Sequence, residues 1–228
     1  DEMSSSTPKI IDRSDLRGRV TVFRDRAHAG EVLAGMLGEY AGTDAVVFAI
    51  PAGGVPVAAA VAAQLHLPLE LAVVSKITFP WNSEAGYGAV AFDGSVRLNQ
   101  PLVQSSGLSD GQVREGIADT REKVEGRVRR LHRGRPFPVL DGRTVILVDD
   151  GLASGLTMRV AVEALRGQGA EEVVVAVPTG HGHAVRAVAV AVERLYCANV
   201  REGAWFAVAD AYERWHDVSE AEVAALLP

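Results

Sequence analysis

The run Val145-Ile146-Leu147-Val148-Asp149-Asp150-Gly151-Leu152-Ala153-Ser154-Gly155-Leu156-Thr157 constrains this chain more than any other stretch. Its first four residues are apolar and mostly β-branched, the pattern of a buried strand. Two adjacent carboxylates then stand at the strand's C-terminal end. A loop of small residues follows, in which Gly151 and Gly155 are free to take positive φ. Apolar residues recur at helical spacing from Met158 to Leu165, so Thr157 leads into a helix. Strand, acidic pair, small loop and helix start form the outline of a phosphosugar site. Loop amides and a helix N-terminus can bind a phosphate. Carboxylates can bind sugar hydroxyls or a Mg²⁺ ion. Packing alone has no use for two acids facing a Ser-Gly-Leu-Thr loop.

The same stretch resembles the motif by which type I phosphoribosyltransferases bind phosphoribosyl pyrophosphate (PRPP): four apolar residues, two acids, three small or apolar residues, then Ser-Gly-x-Thr. The resemblance implies that Gly151, Ala153, Ser154, Gly155, Leu156 and Thr157 hold the 5-phosphate. It implies that Asp149 and Asp150 hold the ribose hydroxyls, directly or through Mg²⁺. A response regulator receiver also has a strand ending in Asp-Asp. It needs a phospho-accepting Asp on a later strand and then a Lys, whereas the next strand here ends in Pro178-Thr179-Gly180 and no Lys follows Lys123. That alternative fails.

Earlier segments fit the same resemblance. Ala45–Ile50 reads as a buried strand running into Pro51-Ala52-Gly53-Gly54-Val55-Pro56, with a helix from Val57 to Leu65. The missing third glycine excludes a dinucleotide fingerprint. The loop resembles the one that holds pyrophosphate in phosphoribosyltransferases, which assigns that role to Ala52, Gly53 and Gly54. Relatives usually have Arg where this chain has Ala52, so a cation is lost. Leu69–Ile77 reads as one strand with Lys76 near its end, and the resemblance sets the Lys76 ammonium on the pyrophosphate. Thr78–Val90 reads as a long loop entering a hairpin, Gly88–Leu98, turned at Asp93-Gly94. In the family this region is a flexible lid. Phe23-Arg24-Asp25-Arg26, followed by His28-Ala29-Gly30, resembles the opening of a subfamily of predicted phosphoribosyltransferases. Arg24 and Arg26 either pair with acids or face a phosphate.

Leu108–Arg133 is a charged helix with Ser109 as its cap and opposite charges at Asp119/Lys123 and Glu125/Arg129. After the central motif come a strand at Glu172–Val177, a helix near His183–Val192 and a strand near Arg194–Ala198. His181-Gly182-His183 reads as a turn and helix start rather than a metal site. The resemblance makes Val177–His181 a candidate acceptor loop, and the aromatics from Trp205 to Trp215 candidate pocket walls. Ser219-Glu220-Ala221-Glu222 is a capping box for a last helix.

Strands alternating with helices predict an α/β fold, a doubly wound and mainly parallel sheet with flanking helices, plus a hairpin lid or hood. The expected layout is a flexible tail over residues 1–19 and a single domain over 20–228. The formal net charge of −6 argues against a general nucleic-acid binder. The lone Cys197 excludes an internal disulfide. No apolar run reaches membrane-spanning length and no basic–apolar leader opens the chain, so a cytoplasmic protein is expected. The resemblance implies transfer of ribose 5-phosphate from PRPP to a nitrogen acceptor, with Mg²⁺ as cofactor. PRPP and a small-molecule acceptor are its implied partners, and a homodimer is compatible with it. A non-catalytic PRPP or nucleotide sensor and a different phosphosugar enzyme stay open as alternatives.

Overall fold

The computed structural model describes residues 9–228. Lys9–Asp12 forms strand β1, and Arg26–Met36 forms helix α1. Asp25 caps this helix by accepting the His28 N–H. The apolar run Val46–Ala49 is strand β2, and Gly54–Leu65 is helix α2. Strands β3 (Leu69–Leu71), β4 (Val74–Phe79), β5 (Asn82–Ala91) and β6 (Val96–Leu98) follow. Helices α3 (Gln100–Ser105) and α4 (Asp110–His132) lead to strand β7 (Thr144–Val148). The rest alternates: α5 (Leu156–Gly167), β8 (Glu172–His181), α6 (Gly182–Ala189), β9 (Arg194–Arg201), and the closing helix α7 (Glu220–Leu226).

Six strands form one parallel sheet in the order β1-β9-β8-β7-β2-β3. Successive side chains on a strand point to opposite faces, so a sheet covered on both sides needs apolar residues throughout. Val47, Ala49, Ile146 and Val148 pack on one side with Leu33 of α1 and Val57 and Val61 of α2. Val46, Phe48, Val145 and Leu147 pack on the other with Val160 of α5 and Val188 of α6. Each of these larger than alanine, fully buried, contributes about 1.5–3 kcal/mol. The sheet is doubly wound, as expected. From β2 the chain moves outward to β3; from β7 it moves the other way to β8 and β9. The adjacent pair β2 and β7 is therefore the switch point, where loops diverge above the sheet and leave a crevice.

Several expectations are corrected. The expected tail over 1–19 is not a tail from Lys9 onward; residues 1–8 of it lie outside the described residues. Lys9–Asp12 adds an edge strand beside β9, in register from Lys9↔Arg194 to Asp12↔Cys197. The buried Asn199 explains why the next residues stay put: its amide donates to the carbonyls of Leu16 (2.6 Å) and Arg19 (3.0 Å). A buried amide needs such partners. The single strand expected over Leu69–Ile77 is two strands in two sheets, because β4 leaves the parallel sheet to pair with β5. The long loop expected over Thr78–Val90 is mostly strand β5, joined to β4 by a tight turn at Pro80-Trp81. The glycines that suggested a loop, Gly86 and Gly88, allow close packing instead. A Cβ on Gly88 would lie 2.7 Å from Leu98 and 2.9 Å from Ile77. The hairpin turned at Asp93-Gly94 is present as β5–β6.

Ser109 and Ser219 each form a full capping box, with Gln112 and Glu222. The pairs expected along α4 are absent among the described residues. Its cations Arg127 and Arg130 instead bind Glu220 of α7. Among the described residues, no helix is long and apolar enough to cross a membrane.

Candidate functional site

Strand β7 ends at Val148 and delivers Asp149 and Asp150 to the crevice. The chain then bends so that Leu152 bridges Gly180 of β8: Leu152 N–H donates to Thr179 (3.0 Å), and His181 N–H donates to Leu152 (2.9 Å). This bridge holds Ala153 to Thr157 as a short arch over the start of α5. Gly155, at φ +76°, makes the turn into the helix. Gly151 passes close beneath Val208, which an added Cβ would meet at 2.4 Å.

A cavity of about 500 Å³ lies above the switch point. Asp149, Asp150, Gly151, Ala153, Ser154, Gly155 and Thr157 line it, as the sequence leads one to expect. Leu156 does not; its side chain packs against the core under α5. Lys76 lines the cavity from β4, and its ammonium donates to the Glu84 carbonyl across the hairpin at 2.8 Å. Of the Pro51–Gly54 loop only Pro51 lines it. Ala52, Gly53 and Gly54 lie behind the acids instead. Ala52 packs against the core, and the Gly54 N–H is already bonded to Ile50 at 3.0 Å. A Cβ on Gly53 would sit 2.1 Å from the Asp150 carboxylate, and one on Gly54 3.0 Å from the Asp149 Cα. These glycines let the loop press against the acidic pair.

Two groups escaped sequence reasoning, and the role of a third was left open. Lys123 of α4, expected to pair along its own helix, lines the same cavity as Asp149 and Asp150. Ser75 lines it beside Lys76. Arg26, for which two roles were open, proves to hold an acid. Its Nε donates to Asp150 Oδ2 at 3.0 Å, its Nη1 donates to the His216 carbonyl at 2.8 Å, and its guanidinium lies 3.9 Å from the Trp215 ring centre. Phe-Arg-Asp-Arg was the available signal, but its partner lies 124 residues further on. The Tyr212 hydroxyl donates to the Asp150 carbonyl, so the C-terminal segment clamps the acidic pair from behind.

The candidate acceptor loop Val177–His181 is not a loop. It is the end of β8, with Val177 to Gly180 buried and paired to β9. His181 bonds the Gly203 carbonyl at 2.9 Å. The tail aromatics also have other work: Trp215 stacks on Arg26, and Phe206 covers Arg201. Cys197 is buried, and burial pushes its thiol far above the usual range.

Electrostatics single out the acids. Burial pushes the Asp149 carboxyl well up, and the neighbouring Asp150 charge pushes it further. Burial raises Asp150 as well, but the Arg26 guanidinium opposes that rise. Two carboxylates with one close cation leave local negative charge that a hard cation could neutralise. Mg²⁺ is commonly bound by one or two carboxylates with substrate oxygens completing its shell, so these residues fit it.

An open parallel sheet with a small-residue loop and a helix start at its switch point is an architecture suited to ligands that carry phosphate. The phosphoribosyl transferase domain profile matches residues 25–206, and the chain belongs to that family. It is 36% identical over 210 residues to a protein of Mycobacterium tuberculosis H37Rv that bears the name "Putative phosphoribosyl transferase Rv0571c". Its counterpart in strain CDC 1551 matches equally. That match takes in 90% of this chain but 46% of the relative, so the chain spans about half the length of the curated relatives it matches. The crystal structure of TT1426 from Thermus thermophilus superposes with a TM-score of 0.73 at 34% identity, over 90% of this chain and 97% of that one.

Proposed function

We propose that this chain transfers the phosphoribosyl group of PRPP to a nitrogen acceptor and releases pyrophosphate. One observation carries the reading: Ala153, Ser154, Gly155 and Thr157, the Asp149–Asp150 pair and two lysines from separate elements line a single cavity at the switch point. The acceptor nitrogen's lone pair forms the new C–N bond at the anomeric carbon. The bond from that carbon to the pyrophosphate oxygen breaks, and its electron pair leaves with pyrophosphate. The nitrogen then gives up its proton to a base; Ala153 cannot serve as one.

Positive charge develops on the ribose and negative charge on the leaving group, so catalysis is mostly positioning and electrostatics. In this reading the 153–157 arch and the α5 N-terminus hold the 5-phosphate. Asp149 and Asp150 hold the ribose hydroxyls, and Arg26 keeps Asp150 charged and in place. Lys76 and Lys123 supply the cations that meet pyrophosphate, in place of one at position 52. Mg²⁺ held by Asp149 and Asp150 would supply charge neutralisation for the substrate oxygens.

The deciding experiment mixes the protein with PRPP, Mg²⁺ and a panel of bases and measures pyrophosphate. Release with at least one base is expected, and Asp150→Asn should weaken PRPP binding tenfold or more with the fold intact. PRPP binding without release for any base would favour the sensor reading. Absence of PRPP binding by calorimetry would sink both.

A further inference from the structure

Arg201 closes strand β9 and is buried, with 6% of the residue exposed. We propose that it is a positioning residue for the site. By holding the Ala207 carbonyl it seats Val208 and Tyr212 on Gly151 and Asp150, and that seat sets how tightly the acids and the 153–157 arch grip the ribose 5-phosphate half of PRPP. The ligand rests on the transferase reading above.

The chemistry of Arg201 is the first observation. Asn199 and Arg201 stand two residues apart on β9 and so share one face of the sheet, and Thr179 of β8 pairs with Asn199 in register. Arg201 Nε donates to the Thr179 hydroxyl at 3.3 Å, and that hydroxyl donates on to Asn199 Oδ1 at 2.7 Å. Arg201 Nη2 donates to the Ala207 carbonyl at 2.7 Å, and the guanidinium lies 4.2 Å from the Phe206 ring centre. Each of these partners is neutral. Burial works against the charge and holds Arg201 below its ordinary pKa. A methionine would fill the same space without that cost. What the guanidinium adds is a set of directed donors on a rigid fork.

The second observation is what those donors hold. After β9 the chain runs out through residues 202–205, which are exposed. The bond from Arg201 brings it back at Ala207. The next residue begins the turn Val208–Ala211. Val208 lines the cavity at the switch point and lies directly over Gly151. Tyr212, just past the turn, donates its hydroxyl to the Asp150 carbonyl. The far end of the turn is pinned separately: the Thr21 N–H donates to Asp210 at 2.7 Å, and those of Val22 and Phe23 donate to Ala211 at 2.9 Å. His181 holds the chain further out, at the Gly203 carbonyl. Arg201 therefore ties the near end of the turn to the sheet. With that end free, Val208 can lift from Gly151, and the backbone carrying the acids loses its cover.

Hydrogen exchange and calorimetry on the full chain test this with Arg201→Met, which keeps the bulk, and Arg201→Lys, which keeps a charged donor. In Arg201→Met the amides of residues 208–212 should exchange tenfold or more faster, while those of β7 stay within twofold. Affinity for ribose 5-phosphate, and for PRPP with Mg²⁺, should fall tenfold or more. Pyrophosphate without Mg²⁺, which the transferase reading gives to Lys76 and Lys123, should bind within twofold of the parent. Arg201→Lys should recover most of the loss in exchange and in affinity. Unchanged exchange, faster exchange with unchanged ribose 5-phosphate and PRPP affinity, an equal loss for pyrophosphate, or no recovery with lysine would overturn the inference alone. Should Arg201→Met fail to fold, Val208→Ala reads the seat directly: ribose 5-phosphate should bind severalfold more weakly, and unchanged affinity would again overturn the inference. A parent chain that binds neither PRPP nor ribose 5-phosphate would instead bring down the transferase reading, and the site role of Arg201 with it.

Discussion

Asp149 carries the largest electrostatic cost at the site. Burial and the Asp150 charge hold its carboxyl above the ordinary value of 3.8. The folded chain therefore binds more protons than the unfolded one above that pH. Its contribution to stability is complete below about pH 3.8 and is lost as pH rises through the folded value. Asp149→Asn removes the charge and keeps an oxygen able to accept the Asp150 N–H, a bond of 2.8 Å. In metal-free buffer at pH 8 it should raise the Tm of the chain. The gain should vanish near pH 4. Scanning calorimetry at the two pH values checks this; an equal difference at both would show that the carboxyl is not raised. A residue that destabilises the fold and yet could hold ribose and Mg²⁺ is what a binding site requires.

At the scale of elements, the β4–β5 hairpin is irregular toward its tip. Its register shifts twice, between Ile77 and Thr78 and between Thr78 and Phe79, and its tip from Pro80 to Glu84 is exposed. The Lys76 ammonium is spent on the Glu84 carbonyl. An anion in the neighbouring cavity would compete for that ammonium through stronger, charge-assisted bonds. Hydrogen exchange should show Ser83–Gly86 exchanging far faster than β7 and β8, which lie in the core. Adding pyrophosphate and Mg²⁺ should slow Ser83–Gly86 severalfold. Unchanged exchange at these amides, with pyrophosphate demonstrably bound, would remove the hairpin from any closing role.

For the whole molecule, the six-stranded sheet has β1 and β3 at its edges. The four residues of β1 cover β9, whose residues from Leu195 to Ala198 are buried. An uncovered strand of this kind is a template for pairing with another chain. Deleting residues 1–12 should therefore lower Tm by several degrees and produce species larger than the parent's on size-exclusion chromatography. A deletion variant with the parent's size and an unchanged Tm would mean that β1 is dispensable.

Local chemistry on one continuous stretch determined the central part of this protein. An apolar run, two acids, a small loop and an apolar-periodic helix are all adjacent in sequence, so β7, the acidic pair and the start of α5 were legible directly, as were the cap at Ser109 and the capping box at Ser219. The alternation of strands and helices likewise foretold the doubly wound sheet. Only tertiary structure decided what meets across long separations. Arg26 reaches Asp150, and Lys123 turns from its own helix toward the cavity. Glycines read as loop signals at Gly86 and Gly88 serve close packing between strands. Gly53 and Gly54 press against the acids instead of lining the cavity. Lys9–Asp12 looked like a loose end because its stability comes from the edge of β9, about 185 residues away in sequence. Periodicity reports the face a segment buries, but which partner covers that face is settled only when the chain closes on itself.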